Sequence, residues 1–172
     1  MKNRIMLNAI VLARENGLTK WSIDELSRRA HCAKGLVLYH YKTKAQLLLE
    51  LAGCLRQSRR TSRQIVTHER GTQVLDDLWR VLEREVTTGE FAAWLGCVLA
   101  GSETALAARV AANDEAELAQ LVDDGLEANG AISATVPLIN LALDGFQMRL
   151  LQGASPLGLR DAYDAFWLSL LP

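Results

Sequence analysis

Apolar residues in this chain recur every third or fourth position almost from end to end, and strand signals are nearly absent. Side chains three and four apart share one face of an α-helix, so the spacing restricts the chain to helices packed on helices. Proline, which interrupts helices, stands only at 137, 156 and 172. The expected fold class is all-α, with about nine helices. Ile5, Ala9, Leu12 and Ala13 form one face of the first, which Asn16-Gly17 ends. In "SIDELSRRA", Ser22 and Glu25 fit a capping box, and Ile23, Leu26 and Ala30 turn inward from a short helix near 23–30. A turn at His31-Cys32-Ala33 leads to a second short helix near 34–40. Thr43 is an N-cap for a long helix from Lys44 to about Val66. Further helices are expected near 72–87, 90–101, 103–129, 135–152 and 157–171, punctuated by Gly71, Gly89, Gly130 and Gly153.

The formal net charge of −1 hides a division. Residues 1–70 carry 14 Lys/Arg against 5 Asp/Glu, and residues 71–172 carry 5 against 15. A basic head on an acidic body fits a polyanion at the head. The longest apolar stretches fall short of a membrane span and Met1-Lys2-Asn3-Arg4 does not open a signal peptide, so a cytoplasmic protein is expected. Cys32, Cys54 and Cys97 are odd in number, scattered and without a CxxC pair, which argues against a disulfide framework or a zinc site. No metal and no cofactor are expected. No GxSxG, HExxH, phosphate loop or paired-carboxylate pattern stands out, and the three histidines all lie in the basic head, so the chain does not read as an enzyme.

Two short helices joined by a tight turn, with a first helix across them, form a helix-turn-helix arrangement, which presents one helix to the DNA major groove. At 100° per residue, "KGLVLYHYKTK" (34–44) puts Val37 and Tyr41 inward with Ala33 beside them. Gly35, Leu36 and Tyr39 face outward, and Leu38 and His40 lie on the flanks. An outward leucine suits thymine methyls, Gly35 allows close backbone approach, and Tyr39 and His40 donate hydrogen bonds to phosphate oxygens. Lys34 swings toward the groove from the first turn, while Lys44 stands at a helix N-terminus that already favours an anion.

The stretch "LSRRAHCAKGLVLYHYKTKAQLL", with the preceding "ARENGLTKWSIDE", resembles the DNA-binding domain of the tetracycline-repressor (TetR) family of bacterial transcriptional regulators across residues 4–51. The resemblance implies a helix-turn-helix domain at 1–46 and a helical effector-binding and dimerisation domain at 47–172. It implies a homodimer bound to a palindromic double-stranded DNA operator, with repression as the default and release by a small-molecule effector. Carried over by position, Ser22 meets phosphate, Arg28 or Arg29 meets DNA, and Lys34, Gly35, Leu36, Tyr39, His40 and Lys44 form the recognition and phosphate surface. This chain departs from the family at His31, where a glycine is usual, and at Ala33, where a capping serine is usual. It departs again at Leu36 and Leu38, which replace threonine and tyrosine. A redox-sensing regulator acting through Cys32 and an effector-independent DNA-binding protein remain alternatives.

Within the body, "VPLINLALDGFQMRLLQG" (136–153) is apolar over most of its circumference, and "LRDAYDAFWLSLLP" adds further large apolar groups. Two such helices per chain suit a four-helix dimer interface, with Leu141, Gly145, Met148, Tyr163, Phe166, Trp167 and Leu170 as candidates. Gly145 in mid-helix costs about 1 kcal/mol relative to alanine, which close helix approach would explain. Candidate effector contacts are Trp79, Leu82, Phe91, Trp94, Val98, Leu106, Val110 and Met148, all of them residue types equally suited to plain core. Glu83, Glu90 and Glu103 are carboxylates that a cationic ligand would meet, although solvated positions are their ordinary place.

Overall fold

The computed structural model describes residues 1–18, 20–67, 73–100 and 136–170. Among them are eight α-helices and no strand: α1 Lys2–Asn16, α2 Ile23–Arg29, α3 Lys34–Tyr41, α4 Lys44–Thr67, α5 Gln73–Thr87, α6 Glu90–Ala100, α7 Val136–Leu151 and α8 Pro156–Leu170. The all-α expectation holds. The helix anticipated over 103–129 lies outside the described residues. Contacts divide the chain into two compact units, Met1–Arg59 with Thr88–Asp114, and Arg60–Thr87 with Glu115–Pro172. The stretch 1–46 falls wholly in the first unit, and α4 contributes to both.

In the first unit α1 touches α2, α3 and α6. Its buried face is Ile5, Met6, Ala9, Leu12 and Ala13, the expected stripe with Met6 added. Ala9 and Ala13 leave room for large neighbours, and Trp21, Leu26, Val37, Tyr41, Leu47 and Leu51 of the same unit are buried. The Tyr41 hydroxyl donates to the Lys2 carbonyl at 3.2 Å. Burial, with Glu50 and Cys54 nearby, pushes its phenol up to about 12.

The turn between α5 and α6 meets the end of α1 backbone to backbone. Gly89 lies at φ 74°, and a Cβ there would stand 2.5 Å from the Arg14 carbonyl oxygen. A Cβ on Gly96 would come within 3.2 Å of Leu18 Cβ. The Arg14 guanidinium pairs with the buried Glu90 carboxylate at 3.1 Å.

The second unit is built from α5, α7 and α8. Trp79 and Leu82, Ile139 and Leu143, and Tyr163 and Trp167 form one core cluster. Tyr163 donates to the Leu75 carbonyl at 2.9 Å, and Arg160 bridges Asp164, at 2.9 Å, and Asp76. A polar cluster is also buried here: Gln147 donates to Glu85 at 2.7 Å, and Arg63 reaches the same carboxylate oxygen at 3.5 Å. At the end of α7 the amides of Gly153 and Ala154 return to the carbonyls of Leu150 and Arg149, each at 3.0 Å. That is a Schellman stop, with Gly153 at φ 86°.

Gly89→Ala meets two penalties, a left-handed backbone and a Cβ facing a carbonyl that cannot step aside. Urea unfolding is expected to show a loss of at least about 2 kcal/mol, whereas Gly35→Ala, whose Cβ meets open space, changes stability little.

Candidate nucleic-acid interface

The helix-turn-helix surface begins at Ser22, whose Oγ accepts the Glu25 amide at 3.1 Å. Asp24 and Glu25 in the first turn of α2, with Arg28 and Arg29 in its last, complement the helix dipole at both ends. The turn that follows is a second Schellman motif: the His31 amide returns to Arg28 at 3.1 Å and the Cys32 amide to Ser27 at 3.0 Å. His31 takes the left-handed position at φ 46°, and Arg4 of α1 donates to its carbonyl at 3.1 Å. Ala33 caps α3 without a side-chain hydrogen bond. Lys42, at φ 56°, closes the same helix, and Thr43 caps α4 by accepting the Gln46 amide at 3.1 Å.

Between those turns α3 buries Val37 and Tyr41, as its periodicity predicts. Lys34, Gly35, Leu38 and Tyr39 are exposed, Tyr39 at 78%. Two details differ from expectation. Ala33 is exposed rather than inward, because the chain is still extended there. Leu36 and His40 are both half-buried, while Leu38, placed on the flank, carries more open surface.

The basic residues hold partners within the head. Arg29 forms a two-pronged pair with Glu15 at 2.6 and 2.8 Å, which raises the arginine and holds the carboxyl below its usual range. This strap between α1 and α2 is therefore present at neutral pH and is lost as acid protonates Glu15. Lys34 pairs with Asp24 at 2.9 Å, with both side chains more than half exposed. Lys44 donates to the Trp21 carbonyl at 2.6 Å and lies 4.8 Å from the Trp21 ring centre. Lys34 exchanges its exposed pair for a phosphate at little cost, whereas Lys44 also secures the loop before α2. Arg28 is exposed at the end of that helix.

The candidate effector residues fall in different units. Trp79, Leu82 and Met148 belong to the second, where Trp79 and Leu82 are core. Phe91, Trp94 and Val98 share α6 in the first, and Leu106 and Val110 lie outside the described residues. Of the dimer candidates, Tyr163 and Trp167 are buried within the protomer, and Phe166 and Leu170 pack against their cluster. Leu141 and Gly145 are exposed and Met148 is half-buried. Among the described residues nothing lies within 4 Å of where a Cβ on Gly145 would stand, so none of them makes a close helix approach there.

Sequence reasoning passed over the buried charges. Arg59 and Arg63 continue the buried stripe of Leu47, Leu51 and Leu55 at strict four-residue spacing, and Glu85 follows Leu78 and Leu82 on α5. That register is the signal that places them inward. Glu90, for which a solvated position was the ordinary expectation, is buried.

Residues 5–51 match the family model described as bacterial regulatory proteins, tetR family. Solved structures similar to the chain include several named as TetR-family transcriptional regulators. One, a TetR-family transcriptional regulator from Rhodococcus sp., has a TM-score of 0.76 at 19% identity, with all of both chains covered. The multidrug binding protein EbrR, complexed with imidazole, has a TM-score of 0.71 at 18% identity over 99% of this chain and 89% of its own. A transcriptional regulator from Saccharomonospora viridis, in complex with choline, has a TM-score of 0.69 at 17% identity over 96% and 94%. No curated protein matches the chain. Residues 5–51 thus match a tetR-family model, and the fold of the chain is like that of solved TetR-family transcriptional regulators.

Lys34→Ala is expected to weaken DNA binding and to lower the slope of log affinity against log salt by about 0.9, with unfolding unchanged. Lys44→Met is expected to weaken binding and also to cost about 1–2 kcal/mol of stability. Parallel salt titrations and urea melts separate the two.

Proposed function

We propose that the chain is a transcriptional repressor that binds a palindromic operator as a homodimer and is released by a small-molecule effector. The observation that carries the DNA reading is α3 itself. Val37 and Tyr41 anchor it, while Gly35, Leu38 and Tyr39 stand open at the surface of a head that carries most of the chain's cations. Leu38 and Leu36 supply apolar contact suited to thymine methyls, and Tyr39 and Lys34 supply phosphate contacts. Ser22, at the opening of α2, and Arg28, at its end, extend the phosphate-facing surface. Arg29 and Lys44 act mainly by holding the head in shape.

Two-fold protein symmetry is the reason to expect a palindrome. The dimer reading is supported by a stripe on α7, where Leu138, Leu141 and Gly145 are exposed at helical spacing, with Leu141 73% open. Leu157 and Leu168 of α8 are also open. Leucines in such numbers on two adjacent helices are costly in water unless a second surface covers them. Tyr163 and Trp167 then back the interface rather than line it. Effector control is supported by the imidazole and choline complexes of the structural neighbours. A redox role rests on Cys32 alone, because burial raises the Cys54 and Cys97 thiols, the latter to about 12.

Leu141→Glu is expected to give a monomer in analytical ultracentrifugation and to lose specific binding to the protein's own upstream DNA while remaining helical. A variant that stays dimeric moves the interface elsewhere. Effector release is expected to correspond to a coupling of roughly 5- to 150-fold in DNA affinity.

A further inference from the structure

We infer that Trp21 is a positioning residue for DNA binding: its ring and its carbonyl hold the Lys44 ammonium in place for a backbone phosphate without competing for it. The inference rests on the DNA reading of the head and gives a role to a residue outside the proposed contact surface. The Lys44 ammonium donates to the Trp21 carbonyl at 2.6 Å and stands 4.8 Å from the centre of the indole ring. Both groups are neutral, so the positive charge of Lys44 is left uncompensated by them. An ammonium has three donors, and the carbonyl takes one. Lys44 is half-buried rather than enclosed, so the other donors keep access to the surface. Lys34 is held in the opposite way. Its partner is the Asp24 carboxylate at 2.9 Å, which a phosphate must displace. Lys44 meets a phosphate while keeping both of its ties.

The choice of tryptophan points the same way. Trp21 is 3% exposed, yet its indole N–H has no acceptor among the described residues. A buried donor without a partner is unfavourable, and phenylalanine carries none. What tryptophan adds over phenylalanine is the stronger π face for a cation. The position uses that face and leaves the hydrogen-bonding edge of the ring idle.

The ammonium also lies where the DNA reading needs it. The Trp21 carbonyl belongs to the peptide unit that enters Ser22, which is exposed at the opening of α2 and is proposed to face phosphate. Lys44 itself starts α4, whose N-terminal dipole adds to the attraction for an anion. A loose lysine loses rotamer freedom when a phosphate fixes it. Here the fold has already restricted the stem, so that loss falls on folding and spares the binding step.

The test is a DNA-binding titration of the full chain on its own upstream DNA, intact and with single neutral methylphosphonates placed along the backbone. The wild type is expected to lose affinity at several positions, and Lys44→Met to become insensitive at one of them, the phosphate that Lys44 holds. Trp21→Phe keeps a ring, removes the idle N–H and weakens the π face. It is expected to melt close to the wild type, to bind DNA about threefold more weakly, and to depend less on the Lys44 phosphate alone. Trp21→Leu removes the face and is expected to bind about tenfold more weakly. Beside Lys44→Met neither substitution is expected to weaken binding further. The salt slope separates position from charge: Lys44→Met lowers it by about 0.9, and Trp21→Phe leaves it nearly unchanged. Three results overturn the proposal: a Trp21→Phe that binds DNA as the wild type does, a loss that persists in full beside Lys44→Met, or a loss spread evenly over all phosphates. The last two describe a Trp21 that only supports the fold. If Trp21→Leu does not fold, Trp21→Phe decides. A wild type that binds its upstream DNA with no dependence on backbone charge would sink the DNA reading itself. Dependence on other phosphates with none lost in Lys44→Met would leave that reading standing and sink this one.

Discussion

The recognition helix is held between two non-glycine residues in the left-handed backbone region, His31 at φ 46° and Lys42 at φ 56°. Each conformation costs about 1–2 kcal/mol for an L-residue with a side chain. The Schellman pair at Arg28 and Ser27, the Arg4 bond to the His31 carbonyl and the Lys42 amide bond to Leu38, at 2.7 Å, offset that cost. Sharp turns at both ends fix the rotation of an eight-residue helix too short to be stable by itself. With rotation fixed, Val37 and Tyr41 enter the core, and Gly35, Leu38 and Tyr39 form the outer surface.

Around this helix α1 acts as a hub. Lys2 pairs with Glu50 of α4 at 2.8 Å, Arg4 with the turn, Arg14 with α6 and Glu15 with α2. The exposed ties are screened by water and add little, so the apolar stripe of α1 supplies the stability. What the polar ties add is orientation. Several of the head's cations are also partly committed to internal carboxylates, yet the excess of Lys/Arg over Asp/Glu in residues 1–70 remains. Long-range attraction to DNA depends on that excess, while close phosphate contact depends on which pairs can exchange. Lys34 can, because its partner is exposed.

Local features were legible in the sequence. The Ser22 and Thr43 caps, the end at Gly17, the stop at Gly153 and the inward pair Val37 and Tyr41 all follow from spacing and backbone chemistry within a few residues. The His31 turn was legible as a departure, because a non-glycine had to adopt a glycine's conformation there. Tertiary partners were not legible. Lys44 at a helix start reads as a phosphate ligand, and nothing nearby in the sequence announces that the Trp21 carbonyl takes its ammonium. Trp79 reads more readily as core than as pocket, and its neighbours Tyr163 and Trp167 place it in the core. Gly145 suggests a close crossing with a second copy of the chain, and a partner chain's position is not something local spacing can supply.

The stripe on α4 links these levels. Positions 47, 51 and 55 are leucines, and the same four-residue step then reaches Arg59 and Arg63, both buried. The helix is thus anchored by hydrocarbon where it leaves the DNA-binding head and by charge farther along. Apolar burial is non-directional and tolerates small shifts. A guanidinium on a π face, or beside a carboxylate, has few good positions, and leaving one uncompensated in a dry interior is expensive. Arg59 is held by the rings of α6 and Arg63 by Glu85 of α5. A helix fastened in this way resists gradual sliding more than one packed on hydrocarbon alone, because each guanidinium has few positions that keep its partner.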